Sequence, residues 1–496
     1  MRFIFKNAKL PAVSNIYLQE TIRKLWEKPS THRFMNGLSQ LIKDTSLEEL
    51  VLETAAYTAC RCCDKKYSGH PQMLPHSLLG FEGAWSLTSF FYSKNRLLPL
   101  VQMMWYAMAE ARSQEVDIKA LIGTPPTFDI LNFETFKKFY LERNFEKAFP
   151  LFVFLMRNPE GRKAMFPFLI SQVLSDEAQL GHKLIYVIKT WQFCEVMKWQ
   201  QYHLYWFPVI HSVLKIPPQT EIFSLVESYF NQNAKNLCRP RTPPARSAGS
   251  NGDQDEHGPV LLEERYRELR DSLYNDEKSV TLEKLSQKIS EGYTVEALFE
   301  GLKLASCELI LGTDFKHWMT SLHALHVACG LSEVLSELDE STQIKALLFA
   351  SLFIKKMAIL SKPFEIPSSH PLKTVDEKNT PSFFLEHAII KGDVSRALGA
   401  LEFMIAENKI TSAPLELLAF LASKNTYSVL YGHDIQCAAA CLKSYTTSQH
   451  PLKAIYLKAL VKLLASEPKE QTIYNALQNT QTIKPGYYST EGNFQF

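Results

Sequence analysis

Apolar residues recur along most of the chain with the period of an α-helix, and almost no segment alternates in the manner of a β-strand. Residues 46–59 are typical. Ser46 stands three positions before Glu49, the spacing of a capped helix start, and an apolar stripe follows on one face. The tripeptide Gly69-His70-Pro71 then favours a break and a new helix. The pattern predicts an all-α fold.

A histidine frame occurs twice in this helical pattern. The two copies are His70-x5-His76-x6-Gly83 and His317-x5-His323-x6-Gly330, separated by 247 residues at all three positions. The flanking helices keep nearly the same offset: Thr294 lies 248 residues after Ser46, and Ile344 lies 247 residues after Leu97. Equal offsets across three helices indicate an internal duplication, so we expect residues 46–111 to superimpose on residues 294–358.

A second pair of segments repeats between these copies. Asn144 and Asp393 each stand where a helix N-cap is expected, and Gly181-His182 returns as Gly432-His433. We therefore predict a duplicated helical-repeat architecture of four related units, arranged A-B-A′-B′ in two halves with pseudo-twofold symmetry. Such units stack because none can bury its apolar face alone.

The two predicted halves are separated by a segment without apolar periodicity. Residues 232–260 are rich in Pro, Ser, Gly and charge, a composition typical of a flexible linker. The sequence thus divides into an N-terminal half, 1–231, this linker, and a C-terminal half, 261–496. Within the linker, residues 240–257 are expected to be the first site of proteolysis.

Composition and charge narrow the functional classes. Apolar residues make up 46% of the 496 and the formal net charge is only +2, without a basic block, so nucleic acid is not an expected partner. The longest apolar runs are too short for a transmembrane helix, and the first residues lack a secretory signal. Nine cysteines, an odd number, suggest reduced thiols. The prediction is a soluble, cytoplasmic protein.

The repeated histidines are the candidate site. Positions six apart on a helix differ by about 9 Å of rise and about 240° of rotation, so His70 and His76 are poorly placed to bind one ion together. A site needs partners from the other half. The predicted metal ligands are His70, His76, His317, His323, His182 and His433.

Catalytic roles are predicted for His76 and His323, which should face one common cavity and lie within about 15 Å of each other. The other two units replace this second histidine by Ile188 and Ala439. A purely structural need would more naturally appear in all four units. Glu82 or Glu333 would supply a carboxylate, and the metal would be iron or another divalent ion.

Plainer interpretations stay open for all of these histidines. An imidazole on an amphipathic helix often only bonds a neighbouring turn or caps a helix end. Motifs for nucleotide binding, serine hydrolysis and zinc proteolysis are absent from the sequence. No catalytic motif of these classes therefore identifies the chain as an enzyme.

One stretch resembles a known family. His323-Ala-Leu-His326-Val-Ala-Cys-Gly330-Leu-Ser-Glu333, followed by a helix with Lys345-Ala346-Leu347, is similar to the helical histidine motif of questin oxidase-like proteins. The segment Leu-Glu-His387-Ala-Ile-Ile-Lys-Gly392-Asp393 resembles another part of that family. The resemblance implies an all-helical oxidoreductase that acts with dioxygen on a small aromatic or polyketide-like compound, and an electron-transfer partner.

Two hypotheses from different classes follow. The first is a dioxygen-dependent oxidase or monooxygenase-like enzyme, with a histidine-lined pocket between the halves and a small-molecule substrate. The second is a helical-repeat scaffold or regulatory protein that binds a protein or peptide partner and has no catalytic role. Stoichiometric metal in the purified protein distinguishes the first from the second.

Overall fold

The structure is a computed structural model, and it describes twelve stretches of the chain. These are residues 16–26, 31–61, 76–92, 94–111, 116–123, 133–238, 261, 263–314, 317–361, 366–370, 380–425 and 432–479. His70 and most of the predicted linker lie outside them.

The described residues up to 238 form twelve α-helices. They are α1 (Ile16–Trp26), α2 (Thr31–Asp44), α3 (Leu47–Ala59), α4 (His76–Thr88), α5 (Leu98–Glu110), α6 (Ile118–Ile122), α7 (Phe133–Leu141), α8 (Phe145–Leu155), α9 (Pro159–Leu174), α10 (His182–Val196), α11 (Tyr202–Lys215) and α12 (Glu221–Leu237).

Eleven more follow the linker. They are α13 (Glu263–Asn275), α14 (Lys278–Ser290), α15 (Val295–Gly312), α16 (Trp318–Glu333), α17 (Glu340–Ser361), α18 (Pro381–Lys391), α19 (Val394–Ala406), α20 (Ser412–Lys424), α21 (His433–Thr447), α22 (Ala454–Ser466) and α23 (Thr472–Asn479). No strand occurs in the described stretches, so the predicted all-α class is confirmed.

The predicted helix starts carry the expected caps. Ser46 and Glu49 form a reciprocal capping box at the start of α3. Thr294 caps α15, and Asn144 and Asp393 cap α8 and α19 through their side-chain oxygens. Each cap satisfies a backbone N–H that the first helical turn leaves without a partner. Local sequence therefore fixes where these helices begin.

Four helices from distant parts of the chain meet at the centre of the molecule. Helix α4 packs on α10 and α21, and α16 packs on the same two helices. The surrounding layer includes α17, whose residues from Ala346 to Ile354 are buried on every side. None of the described helices combines the length and apolar character that crossing a bilayer requires.

Both halves contain the predicted succession of three helices. It is α3, α4 and α5 in the first half, and α15, α16 and α17 in the second. Helix α16 starts after His317, which is its N-cap residue. The superposition of the two groups and the A-B-A′-B′ arrangement stay predictions.

The predicted linker begins inside a helix. Helix α12 continues through Leu237, because Phe230 and Leu237 are seven residues apart and both are buried on one face. Residues 232–237 are therefore helical, and 239–260 lie outside the described residues. The division into two halves stays a prediction.

Candidate metal centre

Five imidazole side chains converge where the four central helices meet. They belong to His76, His182, His323, His326 and His433. Four of these residues are at most 6% exposed, and His182 is partly buried. Burying histidines costs free energy unless their ring nitrogens have hydrogen-bond or metal partners. The arrangement of these nitrogens therefore decides the chemistry of the cluster.

Backbone geometry at helix starts aims two of these rings inward. His182 and His433 are the first residues of α10 and α21, and each follows a glycine with positive φ, +77° at Gly181 and +81° at Gly432. A side chain at Gly181 would also press on Phe353. Glycine is needed there because other residues are strained at such angles. The recurrent Gly-His pair is thus a device for starting a helix on an inward histidine.

Glu110 holds the start of α4. One carboxylate oxygen accepts the backbone N–H of His76 at 3.0 Å, and the other accepts the backbone N–H of Ser77 at 2.8 Å together with its hydroxyl. The same carboxylate lies 3.9 Å from His76 Nδ1. Glu110 therefore holds the backbone of the residue that carries this ring.

The Nε2 atoms face the centre of the cluster. His182 Nε2 lies 3.1 Å from Nε2 of His76 and 3.0 Å from Nε2 of His323. The ring of His433 is centred 5.0 Å from each of those two outer rings. His326 stacks on His433 at 5.5 Å.

The outward nitrogens fix two tautomers. His182 Nδ1 contacts the carbonyl oxygen of Gln179, and His323 Nδ1 contacts that of Met319 at 2.7 Å. A carbonyl can only accept, so both Nδ1 atoms carry the proton when the rings are neutral. Both Nε2 atoms then present lone pairs. At 3.0 Å these two lone pairs face each other without a proton between them, and a cation in that position removes the conflict.

Burial keeps the rings in the form that binds metals. It lowers the pKa of His76 to about 4, with a smaller contribution from His323, and it lowers the pKa of His323 to about 4. Burial also holds the pKa of His182 and of His433 well below the usual range of imidazole. Neutral imidazole is the metal-binding form, so the cluster is ready at neutral pH without losing protons.

The spacing fits one ion. One ligand nitrogen each from His76, His182 and His433 can be chosen so that all three lie within 4.8 Å of one another. Two nitrogens bound at 2.0–2.1 Å in tetrahedral geometry are about 3.3 Å apart, close to the 3.0 and 3.1 Å contacts around His182. The triad therefore lies close enough to hold a metal ion. Carbonyl oxygens hold the Nδ1 atoms of His182 and His323, and such contacts are the usual outer support of metal-binding imidazoles.

The structure brings four of the six predicted ligands together and leaves one apart. His76, His323, His182 and His433 meet in the cluster, where His76 and His323 flank His182, far inside the limit of about 15 Å. His317 lies at the N-cap position of α16, is about one-third exposed, and pairs with Asp314 at 2.9 Å. His70 lies outside the described residues.

The expected carboxylate ligands have another partner. Lys189 Nζ lies 2.9 Å from Glu82 and 3.1 Å from Glu333, so both carboxylates form ion pairs beside the cluster. The sequence predicts them as carboxylate ligands, with Glu82 one position before Gly83 and Glu333 three positions after Gly330. The sequence alone does not show that α10 places Lys189 between these two carboxylates.

Two functional candidates were missed by the sequence. His326 is not among the predicted ligands, and the first half has Leu79 at the matching position, yet the buried ring of His326 packs on His433. Glu110 ends the apolar helix α5 and gave no signal, since its role depends on that helix ending beside the start of α4. A search for buried polar residues on apolar helices would have found His326.

Comparison of the chain with family models, with curated proteins and with solved structures finds no match.

Proposed function

We propose that the protein binds one divalent transition-metal ion through His76, His182 and His433, with His323 as a fourth ligand. The observation that carries the proposal is the contact between the Nε2 lone pairs of His182 and His323. An added proton could also relieve it, but burial opposes a charged imidazole. A metal ion brings its charge together with bonds to several nitrogens, so it offsets the same burial better.

The ligand atoms narrow the choice of metal. An all-imidazole set suits iron, copper, zinc and nickel, and it disfavours magnesium and calcium, which prefer oxygen. Iron, if bound, would let this centre catalyse oxidation reactions. Glu110, Gln179 and Met319 would hold the rings from outside and so preorganise the site.

The reaction proposed for this centre is oxidation of a small aromatic or polyketide-like compound by dioxygen, with electrons from a separate partner. Support comes from a ligand set used by redox-active metals and from the resemblance of residues 323–333 to questin oxidase-like proteins. When bound, the metal would supply electron transfer to dioxygen. The chain's part is to keep the imidazoles neutral, oriented and largely shielded from water.

The first test is the metal content of protein purified without added metal. We expect roughly one ion per chain, because the cluster can hold one ion. His182→Ala should lose it, whereas His317→Ala, a matched histidine outside the cluster, should retain it. Circular dichroism checks that both variants stay helical. Metal-free wild-type protein that also binds no added iron, copper or zinc would disprove the metal centre and favour the scaffold alternative.

The same samples test the reaction. Dioxygen consumption with a panel of hydroxylated aromatic compounds and a chemical electron donor should depend on the bound metal. It should be absent in His182→Ala and normal in His317→Ala. A protein that holds its metal and consumes no dioxygen in this assay would keep the metal centre and contradict the oxidase proposal.

A further inference from the structure

A cleft leads from the surface to the histidine cluster. It lies between the four central helices and is narrow, with room for about one water molecule. Its lining includes Glu82, Lys189, His326, Glu333, Gln436 and Lys443. The wall also contains the small side chain of Ala440. The cleft therefore connects solvent with a histidine of the cluster.

The floor of the cleft presents polar atoms without partners. His326 and Gln436 are 3% and 4% exposed. Among the described residues, neither ring nitrogen of His326 has a hydrogen-bond partner, and neither side-chain atom of the Gln436 amide has one. Buried polar groups are nearly always paired. Two unpaired groups side by side in a cleft are typical of a place where a ligand passes or binds.

The mouth of the cleft already holds a cation between two carboxylates. The Lys189 ammonium lies 2.9 Å from Glu82 and 3.1 Å from Glu333, and Lys443 lies 2.7 Å from the other oxygen of Glu333. A divalent ion could take the place of the ammonium between the same oxygens. Carboxylates bind such ions readily, and lysine can swing away on its flexible stem.

We propose that this cleft is the route by which the divalent metal ion enters and leaves the histidine centre. The ion exchanges with the Lys189 ammonium between Glu82 and Glu333, binds His326 transiently and moves on to His433. The stacked rings of His326 and His433, 5.5 Å apart, make the last step short. The inference rests on the proposed metal centre and adds how the centre is loaded.

The test measures how fast Zn²⁺ binds to metal-free protein and how fast a chelating dye removes it. His326→Phe keeps a ring to stack on His433 and removes both nitrogens. We expect both rates to fall by about tenfold or more while the affinity for Zn²⁺ changes little, because the variant alters the route and leaves the site intact. His317→Phe, six residues before His323 on the same stretch, is the matched control and should leave both rates unchanged.

A second variant keeps the test independent of histidine chemistry. Ala440→Phe fills the cleft from its wall and should slow uptake and release together, whereas Ala454→Phe on α22 should not. Normal rates in both cleft variants would overturn the route and leave the metal centre standing. A large loss of affinity in His326→Phe would also overturn it, because His326 would then be a resting ligand. Failure of the wild-type protein to bind Zn²⁺ would end both proposals.

Discussion

At the scale of single residues, the positions of the protons on the ring nitrogens decide whether the cluster can bind a metal ion. His182 and His323 each commit one nitrogen to a backbone carbonyl, which leaves the other as an acceptor. Two acceptors at 3.0 Å need a cation between them. The same rings placed with Nδ1 free would form an ordinary hydrogen bond. The metal hypothesis therefore depends on two backbone contacts and not on the number of histidines.

Glu110 gives a residue-scale prediction. It accepts two backbone N–H groups at the start of α4 and lies beside Nδ1 of His76. Glu110→Gln removes the negative charge and replaces one acceptor oxygen by a donor, so the start of α4, which carries His76, loses one of its backbone contacts. We expect metal affinity to fall about 10- to 100-fold, the usual effect of losing outer support. Isothermal titration with Zn²⁺ measures it.

A matched control separates this effect from simple helix capping. Glu49→Gln weakens the capping box of α3, far from the histidines in sequence and in role. It should lower stability slightly and leave metal affinity unchanged. Equal affinity losses in both variants would mean that Glu110 acts only through the stability of the fold.

At the scale of helices, the two repeated glycines have different surroundings. A Cβ atom at Gly83 would lie 3.1 Å from the Gln436 backbone on α21, whereas one at Gly330 would lie 3.3 Å from the tip of the Ile188 side chain. Backbone cannot yield without moving the whole helix, and a side-chain tip can rotate. The two glycines of the repeated frame therefore differ: Gly83 lies at a close contact between helix backbones, and Gly330 lies at a looser contact with a side chain.

This difference predicts unequal costs for the same substitution. Gly83→Ala should destabilise the protein by about 1–3 kcal/mol, because α21 must shift. It should also weaken metal binding, since His433 begins that helix. Gly330→Ala should be near neutral, as the gain of about 1 kcal/mol in helix propensity offsets the contact. Urea unfolding of both variants measures this, and equal costs would contradict it.

Helices and their caps were predictable because they depend on neighbours in the sequence. Ser46 and Asn144 mark their helix starts by local rules alone. The repeated histidines could be predicted as one set of ligands. The contact between His182 and His323 could not be predicted. The ion pairs of Lys189 could not be predicted, because they depend on how helices far apart in the chain cross. Long-range packing sets those distances, and one sequence does not record it.

At the scale of the whole molecule, the cluster joins the two halves of the chain. Helices α4 and α10 lie before residue 238, and α16 and α21 lie after residue 263, yet α4 packs on α21 and α10 packs on α16. An ion held by His76, His182 and His433 would cross-link these halves. Its binding should therefore be coupled to folding of the molecule as a whole.

The last prediction concerns acid, and its sign follows from the histidines. The pKa of His76 and of His323 is about 4 in the folded protein, below the value of about 6.5 for an exposed imidazole in the unfolded chain. Between these values the unfolded chain binds more protons than the folded one. The contribution of these two rings to the free energy of unfolding is therefore fully present above about pH 6.5. It falls as the pH drops towards 4 and levels off below that pH, with up to about 3 kcal/mol lost for each ring.

Urea unfolding at pH 7.5, 5.5 and 4, with a chelator present to remove metal, measures this loss. His323→Phe should reduce the slope between pH 6.5 and 4, because one buried titrating ring is gone, and His317→Phe should retain the wild-type slope. With metal bound, the fall should be steeper, since protons then compete directly with the ion for the same nitrogens. A free energy of unfolding that stays constant across this range in metal-free protein would show that the rings are not buried as neutral imidazoles.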